Sequence, residues 1–458
     1  MSQVEADHQQ QIVKPSSATT VHKHFHFINA PLIRKKGSSS SVFLPKIFRS
    51  SNDSSGEKTQ EKKQKRDNLF RSKSKPNKLN KTKDEPMQIL QIPSCDYMLD
   101  LTNLDDGPEF QKKILYLVNT LLGWDDIVHE SQIHLESISG ALTNRVFFLT
   151  AFPKHSHFSV TQKKPRKVVL RVYGIAVDQL VDRKQELEFL QKLSTLKIGP
   201  LLLGIFGNGR FEQYLDSETL TREDIRDLKT SSHIAQRMAI LHNIVKLFPP
   251  PKDTVPQVWV NIDKWYPLAV KVISGPEFRN DPARSKRLDS FDMERLYFEI
   301  QTLKQKLDSL NSPLVFAHND TQYGNILRLN DGSNELVVVD FEYAGYNFRG
   351  FDIANHFCEW SFDYHSPEPH ILHSDWYPSR KEQLNFLSSY MGASHDGGVD
   401  EHNLELLRQE CEAFALASHV MWGLWGLVQA AHSQIKFSYF EYGMLRLEQF
   451  RRDMNMNQ

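Results

Sequence analysis

From about residue 87 onward the apolar positions of this chain fall into periodic runs; before it they do not. In PEFQKKILYLVNTLLGW, Phe110, Ile114, Leu117, Val118, Leu121 and Leu122 share one face at helical spacing, and Gly123 is a natural stop. RVFFLTAF and KVVLRVYG alternate apolar and polar residues, which predicts two strands joined across the polar tip PKHSHFSVTQKKPR. RKQELEFLQKLSTL has the period of an amphipathic helix, and GPLLLGIF and GRFEQYL read as further strands. After EQYLDSETL the pattern turns mostly helical, in HIAQRMAILHNIV and MERLYFEIQTLKQKLDSL. PPPKDTVPQVWVNIDKWYPL reads as a Pro- and Trp-bearing insertion among these helices, and no internal repeat interrupts them.

The order of elements predicts an α+β chain in three parts. Residues 1–86 form a disordered tail, 87–215 a small mixed β lobe, and 216–458 a larger, mostly helical lobe. One stretch, residues 413–435, contains no Asp, Glu, Lys or Arg and is long enough to span a bilayer. Its interruption by Ser418, His419, Gln429, His432, Ser433 and Gln434 favours a buried core helix over a single-span membrane protein.

Composition changes this picture only at the N-terminus. With 40% hydrophobic and 24% charged residues and zero formal charge, the whole chain has the profile of a soluble globular protein with no nucleic-acid surface. The charge is uneven, however: residues 1–86 hold 18 Lys and Arg against 8 Asp and Glu, a net +10, so the rest carries −10. This Ser- and Lys-rich tail cannot bury enough apolar surface to offset its ordering entropy. RKKGSSSS, FRSSNDSS and FRSKSKP place serines after basic residues, which suits regulation by phosphorylation and weak contact with anionic membrane surfaces. A solvated linker without a role reads equally well, and also accounts for the alternating His22, His24 and His26. Cys95, Cys358 and Cys411 have no metal-ligand spacing, and no secretory signal is legible, so a reducing, cytoplasmic location is expected.

The chemistry concentrates in HNDTQYGNIL, residues 318–327, between the strand-like SPLVFA and ELVVVDFEY. An Asp, an Asn five residues later and an Asp at the end of the next strand have the spacing of a protein-kinase catalytic loop and its metal aspartate. Asp320 then orients or deprotonates a hydroxyl, Asn325 and Asp340 hold Mg²⁺ through oxygen ligands, and His318 braces the loop. The other kinase parts follow in order. SISGALTNRV, with Ser139, Gly140 and Asn144, lies where a phosphate-covering loop belongs. Arg171 interrupts an apolar strand within reach of phosphates, with Glu186 on the next helix placed to pair with it. Backbone groups of Gln213 and Leu215 form a hinge that reads the adenine edge.

HNDTQYGNIL followed by VVVDFEYAGYNFRGFDIANHFCEW resembles the signature of the choline/ethanolamine kinases, which have a two-lobed, protein-kinase-like fold. LRVYG, GIFGNGRFEQYL and FALASHVMWGLWGLVQA are similar to other parts of that family, so the resemblance runs from about 110 to 450. It implies ATP-dependent transfer of phosphate to choline, with ethanolamine, or both amines, as the alternative acceptor. It makes Asp320 catalytic with Gln322 beside it, places Asn325 and Asp340 at the metals, and makes Arg171 and Glu186 the nucleotide-positioning pair. It also implies an amino-alcohol pocket around Tyr343, Glu359, Tyr364, Trp422, Trp425, Phe437, Tyr439 and Tyr442. Trp422 and Trp425 project from neighbouring positions of one helical face, and ring faces with a carboxylate suit a quaternary ammonium that has no N–H to donate. Ala141 departs from the family where many members carry a second glycine. An inactive kinase-like scaffold is disfavoured because Asp320, Asn325 and Asp340 are all present. A homodimer is left open.

Overall fold

The computed structural model describes residues 89–100, 107–138, 144–153, 166–173, 182–394, 399–433 and 436–456. The expectations for the tail, and for Ser139, Gly140 and Ala141, fall outside the described residues.

The first part is one six-stranded sheet with two helices. In chain order it runs β1 (Ser94–Cys95), α1 (Pro108–Leu122), β2 (Ile133–Ile138), β3 (Asn144–Ala151), β4 (Arg166–Tyr173), α2 (Arg183–Leu196), β5 (Leu202–Phe206) and β6 (Gly209–Gln213). The strand order is β1-β5-β6-β4-β3-β2, with β1 parallel to β5 and the other pairs antiparallel. The expected hairpin pairs Phe147 with Leu170 and Leu149 with Val168, all four buried. Against them pack Phe110, Ile114, Leu117, Val118 and Leu121 of α1, five of the six positions of its apolar face. Gly123 ends that helix in the left-handed conformation, φ 62°, which glycine adopts without steric cost. β2 escaped the sequence reading: it is an edge strand in which only Ile133 is buried, so its alternation is faint.

The second part contains β7 (Ser217–Thr219), α3 (Arg222–Arg226), α4 (Leu228–His242), α5 (Gln257–Ile273), α6 (Pro276–Arg279), α7 (Pro282–Phe291) and α8 (Met293–Asp308). Four short strands follow, β8 (Leu314–Ala317), β9 (Ile326–Leu329), β10 (Leu336–Val338) and β11 (Gly345–Phe348), then α9 (Arg349–Glu359), α10 (Arg380–Ser394), α11 (Glu401–His432) and α12 (Tyr439–Met456). β8 pairs with β11, and β9 lies between β7 and β10.

One expectation changes here and another holds. The Pro- and Trp-rich "insertion" is mostly helix α5, with Pro267 inside it and Trp259 and Trp265 buried in the main core. Residues 413–432 of the uncharged stretch belong to α11, among the described residues the helix long and apolar enough to cross a membrane; it is buried against α5, α9 and α12. Its seam with α12 is close because glycines face each other: a Cβ on Gly426 would lie 2.9 Å from the Gly443 Cα.

Candidate active site

β8 delivers the polar loop and α9 holds it. The loop turns sharply at Asn319, φ 67°, a conformation that asparagine tolerates better than most residues. The backbone N–H groups of His318 and Asn319 donate to the two carboxylate oxygens of Asp352, at 2.9 and 2.7 Å. His242 Nε2 meets the same carboxylate at 2.8 Å. Burial disfavours the Asp352 charge, but the His242 contact and these donors outweigh it and hold the carboxyl below its ordinary range. Asn355 donates to the Asn319 carbonyl and His356 to the Thr321 carbonyl, so α9 grips the loop at His318, Asn319 and Thr321.

That grip presents three polar groups together. Asn325 Nδ2 donates to Asp320 Oδ2 at 2.8 Å and to its backbone carbonyl at 2.9 Å. The Val339 N–H donates to the Asn325 carbonyl, and His318 Nε2–H donates to the Val339 carbonyl, both at 2.9 Å. His318 Nδ1 accepts the Asp320 N–H, so the imidazole is a neutral brace. Asp340 follows Val339 with φ 67°, an unfavourable conformation for a non-glycine residue. Asn325 Oδ1 is buried and, among the described residues, accepts no hydrogen bond. An orphaned carboxamide oxygen near a carboxylate is the donor set a hard cation takes, so Asn325 and Asp340 fit Mg²⁺. Asp320 itself is pushed well above its ordinary pKa, first by burial and then by the charges of Glu359, Asp340 and Glu342. Gln322 is turned inward, its Oε1 accepting the Gly324 N–H to fix the turn before Asn325.

The expected Arg171–Glu186 pair takes a different form. Arg171 turns to Glu212 (3.2 Å) and Asp340 (3.5 Å). Glu186 is instead held by Arg183 and Arg210, each at 2.8 Å. Arg210 also binds Glu212 at 2.6 Å, and Arg183 reaches Glu342 at 3.5 Å. A buried chain of alternating charge thus runs from Asp340 through β4, β6 and α2 back to Glu342. Burial opposes the Glu212 charge, but Arg171 and Arg210 outweigh it and bring the carboxyl down to about 2. Sequence spacing placed Arg171 and Glu186 on neighbouring elements without revealing that Arg210 and Glu212 intervene. The hinge expectation also narrows: the Gln213 N–H donates to the Leu201 carbonyl, which leaves the reading to the Gln213 carbonyl and the Leu215 N–H. Asn144 opens β3 opposite Tyr173.

The expected pocket residues form one aromatic cluster. Trp422 and Trp425 meet edge to face at 5.3 Å, and Trp422 meets Tyr343 at 5.2 Å. The Trp425 indole N–H donates to the Tyr343 hydroxyl at 2.9 Å. Tyr439, Phe437 and Tyr442 continue the series of ring contacts from α12 and the segment before it. Tyr364 donates its hydroxyl hydrogen to Glu359 Oε2 at 2.5 Å. Asp320 is close enough to influence Tyr343 and Tyr442 electrostatically, so the cluster adjoins the polar loop. Glu359 differs from expectation, because its other oxygen is already paired with Arg446, at 3.1 Å.

A sequence model of choline/ethanolamine kinases matches residues 135–451, well over half of the chain. This chain belongs to the choline/ethanolamine kinase family. It is 37% identical over 328 residues to the probable choline kinase 2 of Arabidopsis thaliana, covering 71% of this chain and 87% of that protein. It is 32% identical to the probable ethanolamine kinase of the same plant, covering 79% and 90%. A solved choline kinase from Cryptosporidium parvum Iowa II superposes with a TM-score of 0.61 at 27% identity, over 75% of this chain and 95% of that one. The fold is therefore the two-lobed kinase-like one, and the chain is an ATP-dependent small-molecule kinase.

In this kinase, Asp352, Asn355 and His356 do work that spacing alone did not assign. Their signal was present: three polar residues at i, i+3 and i+4, in a helix otherwise apolar between its end residues Arg349 and Glu359, point to one face with buried partners. His356 also supplies a pH test. Burial holds its imidazole down to about 4, against hydrogen bonding to Thr321. Between pH 6.5 and about 4 the unfolded chain therefore takes up a proton that the folded one refuses, and stability falls as pH falls. His356→Gln removes that proton uptake. The stability lost between pH 7 and pH 5 should shrink by up to about 2 kcal/mol in urea titrations. An unchanged loss would show that His356 does not titrate this way.

Proposed function

We propose that this kinase transfers the γ-phosphate of ATP to the hydroxyl of choline, giving phosphocholine for phosphatidylcholine synthesis in the cytoplasm. One observation carries the choice of acceptor: the group of rings beside Asp320 is rich in aromatic faces, and its carboxylate, Glu359, already accepts from Arg446 and Tyr364. Trimethylammonium offers charge without N–H donors and is served by ring faces, whereas a primary ammonium needs acceptors.

On this reading residues 87–215 are the nucleotide lobe and 216–458 the catalytic lobe. The Leu215 N–H and Gln213 carbonyl meet the adenine edge, and Arg171 brings positive charge toward the phosphates. Asn325 and Asp340 would hold Mg²⁺, which would supply positive charge against the charge developing on the transferred phosphate. Asp320 aligns the acceptor hydroxyl and takes its proton; a raised pKa suits it to that exchange near neutrality. His318 and Gln322 keep the loop rigid while this happens. Position accounts for most of the rate, because phosphoryl transfer asks for little covalent chemistry from the protein.

The test is turnover of the purified chain with Mg²⁺ and ATP, with choline and ethanolamine side by side; a clear preference for ethanolamine overturns the reading. Trp422→Ala or Trp425→Ala should then lower kcat/KM for choline by about two- to thirtyfold from the cation–π contribution, and more from lost packing. Ethanolamine should suffer less. Equal losses for both amines would make the tryptophans core residues only.

A further inference from the structure

Behind the ring cluster lies a cation that the proposed reaction does not use. Arg446 of α12 is fully buried, with its guanidinium 5.1 Å from the ring centre of Phe362 and 5.6 Å from that of Tyr442. Its Nη2 donates to Glu359 Oε1 at 3.1 Å, while the Tyr364 hydroxyl donates to Oε2. His419 Nδ1 lies 3.5 Å from Nη1, and among the described residues Nε has no partner at all. Leaving a buried guanidinium donor unmatched is costly, so packing alone is a poor reason for an arginine here. A nonpolar residue of similar length would fill the space without that cost.

The arrangement has a consequence for recognition. Glu359 is the carboxylate among the rings, and each of its oxygens already accepts a hydrogen bond, one from Arg446 and one from Tyr364. It can contribute a field to a nearby cation, partly cancelled by Arg446, but about half of its roughly four acceptor sites are taken. A quaternary ammonium loses nothing by this. A primary ammonium, with three hydrogens to place, loses part of its best acceptor. We infer that Arg446 is a specificity-determining residue, which withholds Glu359 from primary amines and thereby favours a quaternary acceptor. The inference rests on the amine-kinase reading above and deepens it.

The experiment compares kcat/KM for choline and ethanolamine, at saturating Mg²⁺ and ATP, in the wild type, Arg446→Met, Arg446→Lys and Arg446→Met/Glu359→Gln. Freeing the carboxylate in Arg446→Met should move the choline-to-ethanolamine ratio about tenfold toward ethanolamine, the worth of a charge-assisted hydrogen bond. Arg446→Lys keeps the charge and should restore most of the ratio. The double variant removes both charges, and its ratio should return toward that of the wild type, since no carboxylate is then released. A purely structural role would lower both amines together and leave every ratio within twofold, which overturns the inference. Should Arg446→Met fail to fold, the double variant and Arg446→Lys decide: a double variant that favours ethanolamine more than the wild type does removes Glu359 from the explanation. A wild type that phosphorylates neither amine would overturn the function itself, and this inference with it.

Discussion

Asp320→Asn should lower turnover by about 10²–10⁴-fold while making the folded protein more stable. The two effects have one cause. Asp320 is buried beside Glu359, Asp340 and Glu342, and this company raises its pKa. A carboxyl whose folded pKa exceeds its unfolded value contributes less stability as pH rises through the folded pKa, so at neutral pH its ionised form is a cost. Asparagine removes the charge and can keep an oxygen for the Asn325 Nδ2 donor. Without divalent metal at pH 7.5, the Tm of the variant should exceed that of the wild type, and the gap should close as pH falls toward 4. Turnover near the wild-type rate in a folded variant would remove Asp320 from the chemistry. A lower Tm would mean that its hydrogen bonding outweighs the repulsion.

Asp352→Ala should be the most destabilising of these substitutions. It removes the acceptor of two buried N–H groups and the partner of His242 in one step. Breaking a buried charged network by deleting one member costs about 3–5 kcal/mol. Asp352→Asn keeps one acceptor oxygen, so its loss should be smaller, about 1–3 kcal/mol. Both variants release the loop that carries Asp320, and a misplacement of about 1 Å can cost roughly 10²-fold in rate. The measurements are urea midpoints and kcat for each variant. If Asp352→Ala unfolds at the wild-type midpoint, the loop does not depend on α9.

These two residues mark where the sequence was readable and where it was not. Asp320, Asn325 and Asp340 could be picked out because their spacing belongs to one strand–loop–strand unit, and the structure brings them together through β8, β9 and β10. The amphipathic helices and the β3–β4 hairpin were legible for a similar reason: periodicity is local. Arg210 and Glu212 were not, because a charge chain among β4, β6 and α2 depends on strand order, and strand order is a property of long-range pairing. The same holds for Arg446. It lies four residues after Tyr442 on the same helix, yet its pairing with Glu359 on α9 appears only once α11 and α12 have packed. Helix α5 misled for the opposite reason, since its prolines suggested an insertion where two buried tryptophans, Trp259 and Trp265, commit the segment to the core.

Helix α9 holds the loop near one end, through Asp352, and carries Glu359 at the other. They are seven positions apart, roughly 10 Å at 1.5 Å per residue. On the proposed reading, the point where the hydroxyl sits and the place where the ammonium rests are therefore both referred to a single rigid rod. Such a rod works as a caliper, and it makes the length of an alcohol's carbon spacer a third criterion of choice beside the head group and the hydroxyl.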